Sequence, residues 1–177
     1  MAANQFSASP VTVHQKLRHS GHEVRYKFTL CNAAALQEEW NFTQDCQLPC
    51  QATPTSWKFK MTLERAENIL VVSGTAKLKR YDSIDIPVRV ILVVKIRHEK
   101  FPDYIPIPNV DKIILPGEEL IINVSNIVPH AYNYLLSEEL SVRVHIYVRD
   151  CHRHIRKDLG KPDDGKKKEK KSVCSEM

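Results

Sequence analysis

The chain has 177 residues, of which 42% are hydrophobic, 27% charged and 7% aromatic, proportions that exclude wholesale disorder and allow a core to form without disulfides. Five glycines, at 21, 74, 117, 160 and 165, are too few and too scattered for a collagen-like repeat or a phosphate-cradling loop. The net charge of +5 is uneven: residues 151–177 carry nine Lys/Arg against five Asp/Glu, so the preceding 150 residues carry only about +1 in total and composition indicates no domain-wide nucleic-acid face.

The start, MAANQFSASPVTVHQ, has no apolar segment of the secretory kind, and no apolar run approaches the roughly 20 residues that span a bilayer. With five cysteines, an odd number, this predicts reduced thiols in the cytoplasm, and the sequons at Asn41 and Asn123 are then chance matches.

Residues 1–23 read as a flexible polar arm, with at most a short strand at Val11–Val13. From Val24 the period changes: Val24, Tyr26, Phe28 and Leu30 alternate with Arg25, Lys27 and Thr29, as in a half-buried strand. Asn32 to Trp40 contains good helix formers behind a capping Asn32, and predicts one short side helix. Residues 41–56, with Pro49 and Pro54, read as a loop. Trp57, Phe59, Met61 and Leu63 then alternate with Lys58, Lys60 and Thr62. Glu64 to Asn68 reads as a turn, and Ile69 to Leu78 as a strand with Gly74 as a bulge.

The strongest alternation runs from Ile84 to Ile96 and predicts a central strand, with Pro87 forcing an irregular or edge-located beginning. Residues 101–109, with three prolines, read as an extended loop or edge. Pro116-Gly117 marks a turn between two apolar runs, and Ala131 to Leu140 offers one helical turn. Val142, Val144, Ile146 and Val148 form a last strand with one wet face. The expected organisation is an arm (1–23), one β-rich domain (24–150) and a basic flexible tail (151–177). The fold class is mainly β: an antiparallel sandwich with one short side helix, a closed barrel being the alternative.

Chemistry-bearing residues are few. Cys46 and Cys50, with Cys151 and His154, offer four soft or borderline donors of the zinc-binding type. The two halves lie a hundred residues apart without the usual spacing, so free thiols and no metal, cofactor or disulfide requirement are expected. His14, His19 and His22 read as solvated. No nucleophile elbow or dinucleotide fingerprint is present, and no enzyme or small-molecule substrate is expected.

Lys166, Lys167, Lys168, Lys170 and Lys171, helped by Arg156 and Lys157, are the candidate site for anionic lipid, nucleic acid or a nuclear-import receptor. The strand faces Arg25/Lys27, Lys58/Lys60, Lys77/Lys79/Arg80 and Lys95/Arg97 would continue it. Phe101, Tyr104 and Ile105, in a proline-stiffened segment, are the candidate protein-docking residues. Tyr132-Asn133-Tyr134-Leu135 matches an adaptor-recruiting pattern but reads as packing.

In size, moderate basicity, single β-rich domain, lack of a signal peptide and basic segment Lys166–Lys171, the chain resembles the matrix proteins of plant-infecting rhabdoviruses. Pro10 stands alone where some animal-virus relatives carry a proline-rich motif. The resemblance implies a non-enzymatic protein that self-associates and condenses a ribonucleoprotein nucleocapsid beneath an envelope, in the host cytoplasm and virion. An intracellular adaptor and a nucleic-acid-binding viral accessory protein are the other classes kept open.

Overall fold

Alternating apolar and polar residues form eleven strands in the computed structural model, which describes residues 5–65, 72–98, 104–124 and 139–152. In chain order they are β1 (Ser7–Ala8), β2 (Thr12–Arg18), β3 (Gly21–Cys31), β4 (Trp40–Leu48), β5 (Thr55–Arg65), β6 (Val72–Arg80), β7 (Val88–His98), β8 (Tyr104–Ile105), β9 (Val110–Ile114), β10 (Glu119–Val124) and β11 (Glu139–Arg149). Two antiparallel sheets result. The larger has seven strands, with β11 between β3 and β7; β1 and β2 share the outer edge of β3, and β8 and β9 share that of β7. The smaller runs β10-β6-β5-β4. Among the described residues no helix is long and apolar enough to cross a membrane.

The facing sides of the sheets make one core. The larger sheet contributes Val24, Tyr26, Phe28 and Leu30, then Val88 to Ile96 and Leu140 to Val148 at alternate positions, and the smaller contributes Trp57, Phe59, Met61, Leu63, Leu78 and Ile122. Each large apolar side chain buried this way contributes about 1.5–3 kcal/mol. The indole N–H of Trp57 donates to Thr55 Oγ1 at 2.8 Å, so this buried donor is satisfied.

Several local expectations are corrected. The helix expected over 32–40 is only a 3-10 turn, Ala33–Ala35, behind a left-handed Asn32 (φ 53°) that makes no side-chain cap. Trp40 instead opens β4, where its ring lies 5.5 Å from Phe28, and nine residue pairs join β4 to β5. An isolated helix of that length is marginal, so the ladder and the aromatic contacts win. Residues 41–48 are consequently strand, and the loop shrinks to 49–54.

Gly74 is not a bulge: its register with Leu63 and Val124 is unbroken. It is needed for close approach, since a Cβ there would lie 2.1 Å from the Thr62 carbonyl oxygen. Within the expected arm, residues 12–18 are strand paired to β3. Of the turn expected at 64–68, Glu64 and Arg65 belong to β5, and residues 66–68 lie outside the described residues. The helical turn expected from Ala131 and the Tyr132–Leu135 segment lie outside the described residues, apart from Glu139 and Leu140, which are in β11.

The connection from β6 to β7 carries the most elaborate polar structure. Arg80 is fully buried, and its guanidinium reaches both Asp82 carboxylate oxygens (2.9 and 2.8 Å) and the carbonyls of Ile84 (2.8 Å), Ile86 (2.6 Å) and Ile114 (3.2 Å). Asp82 also accepts from the Ser56 and Ile84 amides. This arrangement holds residues 82–86 outside any strand, so β7 begins only at Val88, after Pro87. Burial alone would raise the Asp82 carboxyl, but Arg80 and the two amides outweigh it and hold it below its usual 3.8.

Two outcomes are expected. Leu92, fully buried in β7, should lose about 2–5 kcal/mol of stability on truncation to Ala, read by urea unfolding; a parental midpoint would mean that the register is wrong. Arg80→Met should cost about 3–5 kcal/mol, because it leaves the largely enclosed Asp82 carboxylate and the carbonyls of Ile84, Ile86 and Ile114 without their donor. A depressed carboxyl stabilises above its unfolded pKa and loses that stabilisation as pH falls through the folded one. Asp82→Asn should therefore be less stable at neutral pH and lose less stability on acidification below 3.8, in melts across a pH series.

Candidate functional site

Strand parity places His22 on the same side of β3 as Val24 and Tyr26, at the strand's first turn-proximal position. Gly21 makes that position possible: a Cβ there would lie 1.9 Å from the Val148 carbonyl oxygen of β11. At this same end, past Arg149 of β11, Asp150 turns the chain in the left-handed region (φ 67°) while its amide donates to the Ser20 carbonyl at 3.0 Å. The turn delivers Cys151 and His152 beside His22. Cys50, two residues beyond β4, reaches across from the smaller sheet, its thiol donating to the Cys151 carbonyl at 3.4 Å.

The ligand-type atoms of His22, Cys50, Cys151 and His152 all lie within 4.8 Å of one another. Both thiols are buried and both imidazoles half-buried. The two Nε2 atoms are 3.2 Å apart, with the rings edge to face at 79°. Nδ1 of His152 lies 3.4 Å from the His19 carbonyl oxygen, the geometry of a ring N–H oriented by backbone. Burial, then the neighbouring His152, lowers the His22 pKa. Burial, then the adjacent Cys50 sulfur, pushes the Cys151 thiol up to about 12.

Sequence reasoning names half of this cluster. Cys50 and Cys151 do meet. Cys46 does not join them: it is buried in β4, 3.4 Å from Gln15 Nε2, with its thiol pushed up to about 11 by burial. His154 lies outside the described residues, and His152 takes the place considered for it. His22 is a cluster member rather than a solvated arm residue. The signal that reveals it is the even-numbered alternation of β3, which extends back two residues from Val24 to His22.

The second feature is the outer face of the larger sheet. Register places Lys16, Arg18, Arg25, Lys27, Arg89, Lys95, Arg97, Arg143 and Arg149 on it, nine cations against Glu23, Asp111 and Glu139. Glu23 is buried beneath Arg18 and Arg25, which bond both its oxygens. Burial opposes ionisation there, but the two guanidinium groups prevail and hold the Glu23 carboxyl at about 2. Asp111 takes Arg89 in a bidentate pair at 2.8 and 2.7 Å.

Lys27, Arg143 and Lys95 stand side by side across three adjacent strands. Among the described residues no ion pair neutralises them. Like charges directly opposite on a ladder are destabilising, so this row works against the sheet that carries it.

The near-neutral sum over residues 1–150 thus conceals a segregated surface, and Arg25, Lys27, Lys95 and Arg97 lie on it. Lys58 faces Lys79 and Lys60 faces Lys77 on the smaller sheet. Arg80, grouped with them by sequence, is instead buried. Of the docking candidates, Tyr104 joins the basic face, with Lys95 Nζ 5.5 Å and the Arg97 guanidinium carbon 5.8 Å from its ring centre. Ile105, in the edge strand β8, packs partly against the core. Phe101 lies outside the described residues. So does the whole candidate anion-binding set of the tail: Arg156, Lys157, Lys166, Lys167, Lys168, Lys170 and Lys171. The basic surface that the structure describes is therefore the sheet face and not the tail. Comparison with protein-family models and with curated proteins finds no match to this chain.

Proposed function

We propose that this chain is a non-enzymatic assembly protein that holds a phosphate-rich surface on the outer face of its larger sheet. The observation that supports this is the Lys27–Arg143–Lys95 row, whose mutual repulsion an anionic partner relieves. The tail lysines Lys166, Lys167, Lys168, Lys170 and Lys171 add clustered charge, and self-association multiplies the points of attachment. A matrix role, between a ribonucleoprotein and an anionic membrane in the host cytoplasm and virion, is the reading that combines these properties. A protein-docking adaptor is favoured by one feature only, the β2 edge, where Leu17 is 68% exposed on an open strand.

Cosedimentation with anionic vesicles and with single-stranded RNA, run in parallel over a salt series, tests the proposal. The triple variant Lys27→Gln, Lys95→Gln, Arg143→Gln should weaken binding and reduce the RNA salt slope by about 2, roughly 0.7 for each phosphate no longer neutralised. Deleting residues 161–177 should leave the melt unchanged and weaken binding further. Parental affinity and salt slope in the triple variant would remove the sheet face from the mechanism. A monomer that ignores both anionic surfaces but holds one protein partner would favour the adaptor.

A further inference from the structure

We infer that His22, Cys50, Cys151 and His152 form a structural zinc site that fastens the smaller sheet to the larger. Two thiols and two imidazoles are the donor set of a closed, four-coordinate zinc centre, and the absence of a carboxylate among them disfavours magnesium or calcium. The spacing agrees. With zinc–nitrogen bonds of about 2.0–2.1 Å, two nitrogens of one tetrahedron stand about 3.3 Å apart. The observed Nε2–Nε2 distance is 3.2 Å.

Tautomer chemistry points the same way. An Nδ1 proton on His152 directed to the His19 carbonyl leaves its Nε2 lone pair facing the cluster. This is the outer-sphere bond that orients a ligating histidine. A cation between the two Nε2 atoms and the two sulfurs satisfies lone pairs that otherwise face one another. Binding releases the two thiol protons, and two thiolates balance the charge of Zn²⁺. Four protein ligands fill the tetrahedron and leave no open position for substrate, so the role is structural.

The ligands come from the start of β3, the loop after β4 and the turn after β11, segments far apart in sequence that belong to both sheets. The expectation that the fold needs no metal is therefore set aside. The inference does not rest on the proposed function, because its test reads metal binding alone.

The full-length reduced chain should bind one zinc, measured by elemental analysis after dialysis. Cobalt in its place should show thiolate charge-transfer bands and the visible absorption of a tetrahedral centre. Zinc at about 1,000 times its dissociation constant should raise the melting temperature by about 8–16 °C. His152→Gln, at a half-exposed position, should fold and weaken zinc binding by at least about 100-fold, the upper range for losing merely an outer-sphere partner. Cys50→Ser should abolish the cobalt–thiolate signature or halve its intensity. Cys46→Ser and His154→Gln should bind zinc like the parent.

Substoichiometric zinc in the reduced parent, a cobalt spectrum without thiolate bands, or parental affinity in His152→Gln would overturn the assignment. So would loss of binding in His154→Gln with retention in His152→Gln. A Cys50–Cys151 disulfide found by non-reducing mass mapping of freshly purified protein that holds no zinc would also overturn it.

Discussion

A guanidinium shut away from water must place all five of its N–H bonds, and Arg80 does so across three chain segments. Its backbone belongs to β6 of the smaller sheet, while its acceptors lie on the 82–86 connection and at the end of β9 in the larger. The carbonyls of Ile84 and Ile86 are in no ladder, so Arg80 supplies the donors that strand pairing would otherwise provide. One side chain therefore lets an irregular segment sit against the protein core and ties the approach to β7 to the end of β9. Lysine is no substitute: it has three donors at a single point, whereas five donors in a rigid plane are needed to span this geometry.

That constraint explains what is legible in the sequence and what is not. Strands whose alternation is strong, such as Trp57 to Leu63 and Val142 to Val148, are legible because burial acts on each residue locally. The start of β7 is legible only in part, since Pro87 announces an irregularity but says nothing about the cation that organises it. The 32–40 segment misleads because Ala, Leu, Gln and Glu favour helix, while Trp40 is claimed by partners distant in sequence, Phe28 and Phe6.

The functional features are less legible still, because both are products of register. Nothing in the sequence aligns Lys27 with Arg143 and Lys95, more than a hundred residues apart at the extreme, until β11 is known to lie between β3 and β7. Composition averages the two sheets and reports near-neutrality. Likewise Cys46 and Cys50 look like a pair by spacing, yet strand geometry sets Cys46 opposite Trp57 and leaves Cys50 beyond the strand end. His22 joins it through the face-to-face packing of β3 on β4, which no short motif encodes.

That packing has a mechanical consequence. β3 and β4 run in opposite directions across the core, with Phe28 against Trp40 near one end and Tyr26 against Phe42 further along. At the Cys31 end the chain itself crosses from sheet to sheet through residues 32–39. At the Gly21 end no chain segment joins β3 directly to β4 among the described residues; there the Cys50 thiol meets Cys151, at the same end as the β6–β7 and β9–β10 connections that cross between the sheets. The seam therefore resembles a zip with a sewn end and a fastened end. Unfastening Cys50 frees β4 to peel progressively from the Leu48 side toward Trp40, exposing Cys46 before the aromatic cluster, with amide exchange along β4 graded in that order.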